Sequence, residues 1–332
     1  MSNPFSNAIA VAAAASPMST GVVPVVPGRT LLVDGDGLAY YCAGKDDSDA
    51  GEARQTLLNK IKSAVRISGA EQVRVLVTAS GSDKGGRYAI ARVKPYQGQR
   101  TNSRRPANWR ALRDYMQGQT FPYHCEATLT AEADDLFGWW AYNWPDDVVI
   151  YTQDKDMRML PGLHLDWVSH RMHRVEYTLG VCRERERMYN VLPTDSKFNE
   201  KQYGPRWFWM QMLHGDTADN IPGLPKYIDD KGKAKPVGEV TATKLLSESA
   251  DLPGTVAGLY RGYYGERWLV ELMEQACLLW MRRVPGDWDD CMNPGGPLAQ
   301  WNDGEHEFAK AYFEIESRVK QAREINAATQ SE

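Results

Sequence analysis

Short aliphatic runs alternate with amphipathic segments along the first half of the chain. Each aliphatic run is followed by polar or turn residues, as a buried strand would be. The predicted strands are residues 30–33, 73–77 and 148–151, with a turn at residues 34–37. The predicted helices are residues 54–65, 108–117 and 130–144, the last with Thr130 as its N-cap. This alternation predicts an α/β fold with a doubly wound, mainly parallel sheet.

The second half of the chain follows a different pattern. After about residue 206 the strand signals fade, and apolar residues recur at helical spacing in segments 207–213, 268–280 and 305–325. The first 28 residues are rich in Ala, Ser and Pro, which predicts a flexible tail. The predicted organisation is a tail (1–28), an α/β core (29–205) and a smaller helical part (206–332).

The composition is that of an ordinary globular protein. Of 332 residues, 42% are hydrophobic and 25% are charged, which excludes a collagen-like or wholly disordered chain. No run reaches the roughly 20 apolar residues that span a bilayer, so we expect no membrane partner. The five cysteines are widely spread and form no CxxC pair. This favours reduced thiols in a cytoplasmic protein over a disulfide framework or a zinc site.

The formal net charge of −4 hides a separation of charge along the chain. Residues 82–113 contain nine Lys or Arg and one Asp, a formal charge of +8, so the rest of the chain carries −12. A basic segment on an acidic body indicates one place for a polyanion and another for cations.

Carboxylates follow two of the predicted strands and open one predicted helix. In a parallel α/β sheet the carboxyl ends of the strands meet at one edge, where ligands bind. The four acidic groups are Asp34 with Asp36, Glu132 with Asp134 and Asp135, Asp154 with Asp156, and Asp216 with Asp219. Any one of them alone is explained by helix capping or solubility. Together, at one edge, they predict a cluster.

Clustered carboxylates repel each other unless a proton or a cation intervenes. Oxygen ligands without Cys or His indicate Mg²⁺ or Mn²⁺. Two such ions stabilise the attacking and leaving oxygens of a phosphoryl displacement. An acidic cluster beside a segment of charge +8 therefore predicts a metal-dependent phosphodiesterase.

The order of four motifs resembles the flap endonuclease / 5′–3′ exonuclease family. The motifs are VDGD (33–36), EADD (132–135), TQDKD (152–156) and GDTADNIPG (215–223). The family includes bacteriophage exonucleases and the N-terminal nuclease domain of bacterial DNA polymerase I, and the likeness spans about residues 31–246. The resemblance implies a PIN-like nuclease core and a two-metal 5′–3′ exonuclease or flap endonuclease that cuts DNA at 5′ ends. It also implies a place in phage-type replication or recombination, in the host cytoplasm if the protein is from a phage.

The resemblance also implies roles for individual residues. The metal ligands would be Asp34, Glu132, Asp134, Asp135, Asp154, Asp156, Asp216 and Asp219. Residues 82–118 would form a basic helical arch over single-stranded DNA, with Arg87, Arg92 or Lys94 as the catalytic cation. The DNA-binding residues of the arch would be Tyr96, Arg100, Arg104, Arg105 and Arg110, and Tyr96 or Tyr40 would stack on a base. Residues 215–247 would form a helix–turn–helix that holds duplex DNA through Gly223, Gly238 and Lys244, with a K⁺ ion there.

The chain departs from the family pattern at three places. The usual Asp after the second strand is replaced by Ser80, and either Asp83 takes its place or this ligand is lost. The Lys that commonly follows the arch Tyr is replaced by Gln97. Residues 226–236 look like an insertion, whose four lysines either contact phosphate or form a solvated loop.

Two alternatives stay open at this stage. The sequence DGDG (34–37) also matches the opening of haloacid dehalogenase-type phosphatases, in which Asp34 would be a nucleophile and Asp36 an acid. The other alternative is a non-catalytic protein that binds DNA structures, which Ser80 and Gln97 favour.

Overall fold

The computed structural model describes residues 23–45, 47–102, 104–168, 170–175, 202–247, 249–302 and 306–330. Within these ranges, six strands form one sheet. The strands are β1 (Val26–Asp34), β2 (Ala70–Thr78), β3 (His124–Thr128), β4 (Val148–Tyr151), β5 (Gly162–Leu165) and β6 (Met172–Val175). Their order in the sheet is β3-β2-β1-β4-β5-β6, and all neighbours are parallel except β5 and β6. This topology confirms the predicted doubly wound, mainly parallel α/β fold.

The strand order reverses between β1 and β4, which are neighbours in the sheet. From β1 the chain runs outwards through β2 and β3 and then returns to form β4 on the other side of β1. The adjacent carboxyl ends of β1 and β4 therefore form a topological switch point, which is where ligands bind in sheets of this type.

The central strands are buried on both faces because their aliphatic side chains alternate. In β1, Leu31 and Val33 face one core while Leu32 faces the other, and all three are fully buried. In β4, Val149 and Tyr151 likewise lie in the core that Val33 enters. Such two-sided burial is typical of parallel sheets and explains why these strands are continuous apolar runs.

Ten helices accompany the sheet in the described part of the chain. The first five are α1 (Gly35–Cys42), α2 (Ala50–Ser68), α3 (Arg87–Ile90), α4 (Trp109–Met116) and α5 (Ala133–Asn143). The others are α6 (Gly204–His214), α7 (Glu239–Ser247), α8 (Leu252–Tyr264), α9 (Trp268–Leu279) and α10 (His306–Gln330). Helices α1, α2 and α4 cover one face of the sheet, while α5 and the C-terminal helices share a core on the other. No helix among the described residues combines the length and apolarity needed to cross a bilayer.

Several predicted boundaries need correction. Strand β1 begins at Val26, so the last three residues of the predicted tail belong to the sheet, and residues 1–22 lie outside the described residues. The predicted turn at residues 34–37 opens α1, because Asp34 caps that helix by accepting a hydrogen bond from the Gly37 amide. Helix α5 begins at Ala133, and its N-cap is Glu132 instead of Thr130.

The predicted insertion forms a small hairpin. Its strands are β7 (Lys226–Ile228) and β8 (Ala234–Pro236), and they are antiparallel. Helix α7 follows at the position predicted for the second helix of the helix–turn–helix. The domain boundary near residue 205, the arch at residues 82–118 and the helix–turn–helix at residues 215–247 stay predictions.

Candidate active site

The first acidic group lies at the switch point of the sheet. Asp34 ends β1, and its Oδ2 accepts a hydrogen bond of 2.8 Å from Thr152 Oγ1, just beyond β4. Its Oδ1 accepts one of 2.8 Å from the amide of Gly37. Asp154 follows β4 and accepts from the amide of Asp156 at 2.8 Å. The two strand ends thus bring two of the predicted carboxylate pairs to one crevice.

The EADD motif reaches the same edge because the start of α5 is anchored to β2. The amide of Ala133 donates to Thr78 Oγ1 at 2.9 Å, where β2 ends. Asp135 folds back and accepts from the amide of Glu132 at 3.2 Å, as in a capping box. Glu132 is buried, while Asp134 is half-buried. Burial, followed by repulsion from Asp154 and Glu132, raises the pKa of Asp134 well above its usual range.

The fourth acidic group is presented by a tight loop after α6. The amides and carbonyls of Asp216 and Ile221 bond to each other in both directions, at 2.8 and 2.7 Å. The loop closes because Gly215 and Gly223, both at positive φ, touch: a Cβ on Gly223 would lie 2.4 Å from the Gly215 nitrogen. This closure presents Asp216 and Asp219 to the carboxylates that follow β4.

Three carboxylates from two of these groups form a close trio. One side-chain oxygen from each of Asp156, Asp216 and Asp219 lies within 4.8 Å of the others. We call these residues the acidic trio. Their spacing and their all-oxygen donor set fit a hard divalent cation. Asp216 Oδ2 is also buried without a hydrogen-bond partner in the described part of the chain, which leaves it available as a ligand.

Negative charge at the crevice exceeds what its neighbours compensate. Burial, and then repulsion from nearby carboxylates, raises the pKa of Asp34 to about 6, although Gly37 and Thr152 oppose the shift. Burial and repulsion from Glu132 raise the pKa of Asp219 to about 6, against the opposing effect of Arg100. A divalent cation would relieve this repulsion by favouring the ionised carboxylates.

A lysine of this chain already contacts the acidic trio. Lys155 Nζ lies 2.7 Å from Asp216 Oδ1 and 2.9 Å from Asp156 Oδ1. Burial opposes the charge of this ammonium, but the two carboxylates hold its pKa well above its usual range. Gln211 of α6 also donates to Asp156 Oδ1. The sequence motif contained Lys155, but its position between two acids gave no sign that it would point into the cluster.

The centre of the basic segment is docked against the acidic site. The hydroxyl of Tyr96 lies 2.6 Å from Glu132 Oε2 and 2.8 Å from Asp219 Oδ2. Gln97 donates to the same two carboxylates, and Arg100 pairs with Asp219. Tyr96 is only 4% exposed, so it is not placed to stack on a base as predicted. Its buried hydroxyl instead orients two predicted metal ligands.

Arg87 and Asp135 form a buried ion pair next to Glu132, whose Oε2 lies 3.3 Å from Arg87 Nη1. Arg87 Nη1 donates to Asp135 Oδ2 at 2.7 Å and Nη2 to Asp135 Oδ1 at 2.8 Å, and both side chains are at most 1% exposed. Burial alone would raise the pKa of Asp135, but Arg87 and Arg282 lower it to about 2. Arg87 also donates to the carbonyls of Leu278 and Trp280. Their burial argues against Arg87 as a cation that contacts the substrate and, together with the ion pair, against Asp135 as a metal ligand.

The other predicted cations are either paired within the protein or exposed. Arg92 pairs with Glu271 and Glu274 of α9, which ties it to the protein. Lys94, Arg104, Arg105 and Arg110 are exposed. Lys84, which was not predicted, lies 3.1 Å from Glu132 Oε1 and adds positive charge beside Gln97.

Of the three residues predicted to bind DNA in the helix–turn–helix, one is buried and two are exposed. Gly223 is buried and its amide donates to Gln275 Oε1 at 2.9 Å, so this amide is not available to phosphate. Gly238, immediately before α7, and Lys244 on α7 are exposed.

The place of the usual second-strand Asp is resolved by the side chains near the end of β2. Ser80 is exposed, and Asp83 caps a short 3₁₀ helix by accepting from the Gly85 amide at 2.9 Å. The carboxylate at the end of β2 is Asp36, whose Oδ2 accepts from the Thr78 amide at 2.9 Å and whose Oδ1 lies 3.3 Å from Arg113. Neither Ser80 nor Asp83 belongs to the acidic trio.

No protein-family model matches the chain, and no curated protein matches it. Among solved structures, the chain is similar to T5 5′-exonuclease with bound zinc, with a TM-score of 0.49 and 15% identity over 88% of this chain and 100% of that one. It is also similar to a bacteriophage T5 flap endonuclease pseudo-enzyme-product complex with DNA and metal ions, with a TM-score of 0.47 and 16% identity over 88% and 99% of the two chains. These proteins are of the kind that the sequence motifs resemble.

Proposed function

We propose that this chain is a divalent-metal-dependent 5′–3′ exonuclease and flap endonuclease that hydrolyses phosphodiester bonds of DNA. One observation carries the proposal: carboxylates from four separate segments gather at the switch-point crevice, with the basic segment docked on them. Clustering them is costly without a cation. The neighbouring positive charge provides for a polyanionic substrate.

Two sets of carboxylates would hold Mg²⁺ or Mn²⁺. The first set is Asp34, Asp134 and Asp154, and the second is the acidic trio. Asp134 has its pKa raised by burial and neighbouring acids, and Asp216 Oδ2 is buried without a partner among the described residues. When bound, such an ion neutralises charge on a phosphate and makes water a better nucleophile near neutral pH.

The side chains around these carboxylates position them and bind the substrate. Tyr96 and Gln97 hold Glu132 and Asp219 in place through hydrogen bonds. Lys84, 3.1 Å from Glu132, supplies positive charge near the site where the phosphate would lie. Exposed Lys94 and Arg110 would contact the single strand through its phosphates.

Duplex DNA would be held by the region around α7. Gly238 is exposed at the N-terminus of this nine-residue helix, where amides face outwards, and Lys244 is exposed on it. Such contacts bind the backbone without reading sequence. A K⁺ ion at this place and a role in replication or recombination belong to the same proposal.

The test uses duplex and flap DNA labelled at either the 5′ or the 3′ end, with Mg²⁺ or with EDTA. We expect Mg²⁺-dependent release of label from the 5′ end and no release in EDTA. Asp156→Ala should abolish cleavage, because it removes a trio carboxylate that is 8% exposed. The matched control is Asp146→Ala, because Asp146 is 82% exposed and pairs only with surface Arg174 among the described residues. Absence of cleavage by the wild type, or equal cleavage by Asp156→Ala, would refute the proposal.

A non-catalytic DNA-structure-binding protein is the second candidate, and Lys155 favours it. This lysine and Arg100 already compensate part of the charge of the acidic trio. Binding of flap DNA without cleavage at any Mg²⁺ or Mn²⁺ concentration would support this candidate. The phosphatase alternative is less compatible with the structure, because Asp36 Oδ2 accepts a hydrogen bond from the Thr78 amide and its Oδ1 lies 3.3 Å from Arg113 Nη1.

A further inference from the structure

We propose that Lys155 is a resident cation of the acidic trio, which a divalent ion must displace before it can bind there. The inference deepens the proposed function, and it rests on that function only in taking the trio as a metal site. It predicts two unequal metal sites: a strong one without a resident cation, and a weaker one at the trio.

The contacts of Lys155 are those of an ion seated between two ligands. Its Nζ lies 2.7 Å from Asp216 Oδ1 and 2.9 Å from Asp156 Oδ1. The side chains of Asp216 and Asp156 are only 1% and 8% exposed to solvent. The ammonium is therefore the main positive charge that compensates them. Charge-assisted hydrogen bonds of this length are among the strong ones in proteins.

The trio still has acceptors that the lysine does not satisfy. Asp216 Oδ2 and Gln211 Oε1 are buried and have no hydrogen-bond partner in the described residues. Gln211 is fully buried and donates its side-chain amide to Asp156, so this residue lies beside the cluster. A buried acceptor without a partner is unfavourable. A divalent ion that used Asp216 Oδ2 would gain a ligand that the ammonium does not reach.

A carboxylate oxygen that contacts both the Lys155 ammonium and a divalent ion binds each of them more weakly than it would bind one alone. Asp156 Oδ1 and Asp216 Oδ1, which Lys155 holds, belong to a cluster whose ligand oxygens lie within 4.8 Å. Two positive charges within this space repel each other. Lys155 is 34% exposed, so its flexible side chain can move towards solvent when an ion enters. Binding at the trio therefore includes the loss of both lysine contacts.

The other set of carboxylates has different surroundings. Asp34 accepts hydrogen bonds from the Gly37 amide and the Thr152 hydroxyl, both uncharged donors. In the described part of the chain, no Lys or Arg nitrogen forms an ion pair with Asp34, Asp134 or Asp154 within 4.0 Å, although the charges of Lys155 and Arg100 act on Asp154 from a longer distance. An ion that binds there displaces no resident cation, so this set should fill first.

The test is a Mn²⁺ titration of the full chain without DNA. Binding is measured by calorimetry and by the electron paramagnetic resonance signal of free Mn²⁺. Wild type should show a strong and a weak binding step. Lys155→Met should tighten the weak step about tenfold, the equivalent of about 1.4 kcal/mol, and leave the strong step unchanged. The control Lys62→Met removes an exposed lysine of α2 and should change neither step.

A second readout is independent of the binding fit. In EDTA, Lys155→Met should melt at a lower temperature than wild type, because the trio loses its compensating charge. In saturating Mn²⁺ this difference should vanish or reverse, because the ion replaces the ammonium without competition. If Lys155→Met does not fold in EDTA, Lys155→Gln keeps a hydrogen-bond donor without the charge and carries the same expectation.

The inference is wrong if both neutral variants bind Mn²⁺ with the affinities and stoichiometry of wild type. It is also wrong if they lose the weak step, since Lys155 would then support metal binding. These outcomes can be told apart from the fate of the nuclease proposal. If the wild type never cleaves DNA but the variants bind Mn²⁺ more tightly, the inference about Lys155 is supported and the nuclease proposal is refuted. If the wild type cleaves DNA but the variants bind Mn²⁺ as the wild type does, the nuclease proposal is supported and the inference is refuted.

Discussion

Asp134 and Asp135 are neighbours in the chain, yet they belong to two regions with opposite electrostatics. Asp135 lies in the core, where Arg87 and Arg282 lower its pKa to about 2. Asp134 faces the crevice, where burial and other carboxylates raise its pKa well above the usual range. Both belong to the same EADD motif on the first turn of α5. The difference teaches that charge partners, and not the motif, decide which acid supports the fold and which supports a site.

The largest expected effect is on the core side of this comparison. Asp135→Asn would remove the carboxylate that binds the buried guanidinium of Arg87 at two points, and would leave only Glu132, at 3.3 Å, beside it. Breaking a buried ion pair on one side costs about 3–5 kcal/mol. We expect a loss of this size in the free energy of unfolding, measured by urea denaturation of the metal-free protein. A loss below about 1 kcal/mol would show that the pair contributes little and that the contrast with Asp134 is false.

On the crevice side, replacing the neighbouring Asp by Asn should raise the free energy of unfolding instead of lowering it. Asp134→Asn removes a repelled charge, so the metal-free protein should unfold at a higher urea concentration than wild type. Cleavage of 5′-labelled DNA in Mg²⁺ should fall roughly a hundredfold or more, because even residues behind metal ligands are worth 10–100-fold. An Asp134→Asn protein that is less stable in EDTA, or that cleaves as fast as wild type, would contradict this assignment.

A buried group that forms no ion pair among the described residues sharpens the comparison further. His164 is buried, and its Nε2 lies 2.9 Å from the Leu160 carbonyl oxygen. Burial, and then His173, lowers the pKa of His164 to about 3. Since this histidine stays neutral in the fold but is protonated in the unfolded chain below about pH 6.5, stability should fall as the pH falls below that value.

The measurement is the free energy of unfolding at pH 7 and at pH 5, for wild type and for His164→Gln. Wild type should lose about 2 kcal/mol more than the variant between these pH values, at about 1.4 kcal/mol per pH unit. Using the difference between the two proteins removes the contribution of the crevice carboxylates. Equal pH dependence in both proteins would mean that His164 is protonated within the fold.

The sequence predicted those parts of the fold that depend on local pattern. Strand β4 has the predicted bounds, and β1 and β2 extend the predicted runs, because their side chains are apolar on both faces. Strand β3 was missed because it is an edge strand with the polar sequence HCEAT and little burial. Strands β5 and β6 have four residues each and contain His or Arg, so they gave no clear signal.

The site was predictable only as far as strand ends and helix starts determine position. Asp34, Asp154 and Asp156 follow strands, and the fold brings them together. The inward turn of Arg87 was not predictable, because its partners include carbonyls of α9 and the residue after it, about 190 residues further on. Likewise, the sequence predicted an exposed stacking role for Tyr96 and no role for Lys155. Only the packing shows that both side chains contact carboxylates.

The smallest predicted effect extends the comparison from acids to cations. Arg92 is paired with Glu271 and Glu274, whereas Lys94 is exposed and has no ion pair within the described residues. A cation already paired within the protein releases fewer counterions from DNA. Lys94→Ala should therefore reduce the slope of log Kd against log salt by about 0.9 and weaken flap-DNA binding by about 1 kcal/mol or less. Arg92→Ala should change the slope less, measured by fluorescence anisotropy in EDTA between 50 and 200 mM salt. An equal or larger change for Arg92→Ala would show that its pairing with α9 does not hold when DNA is bound.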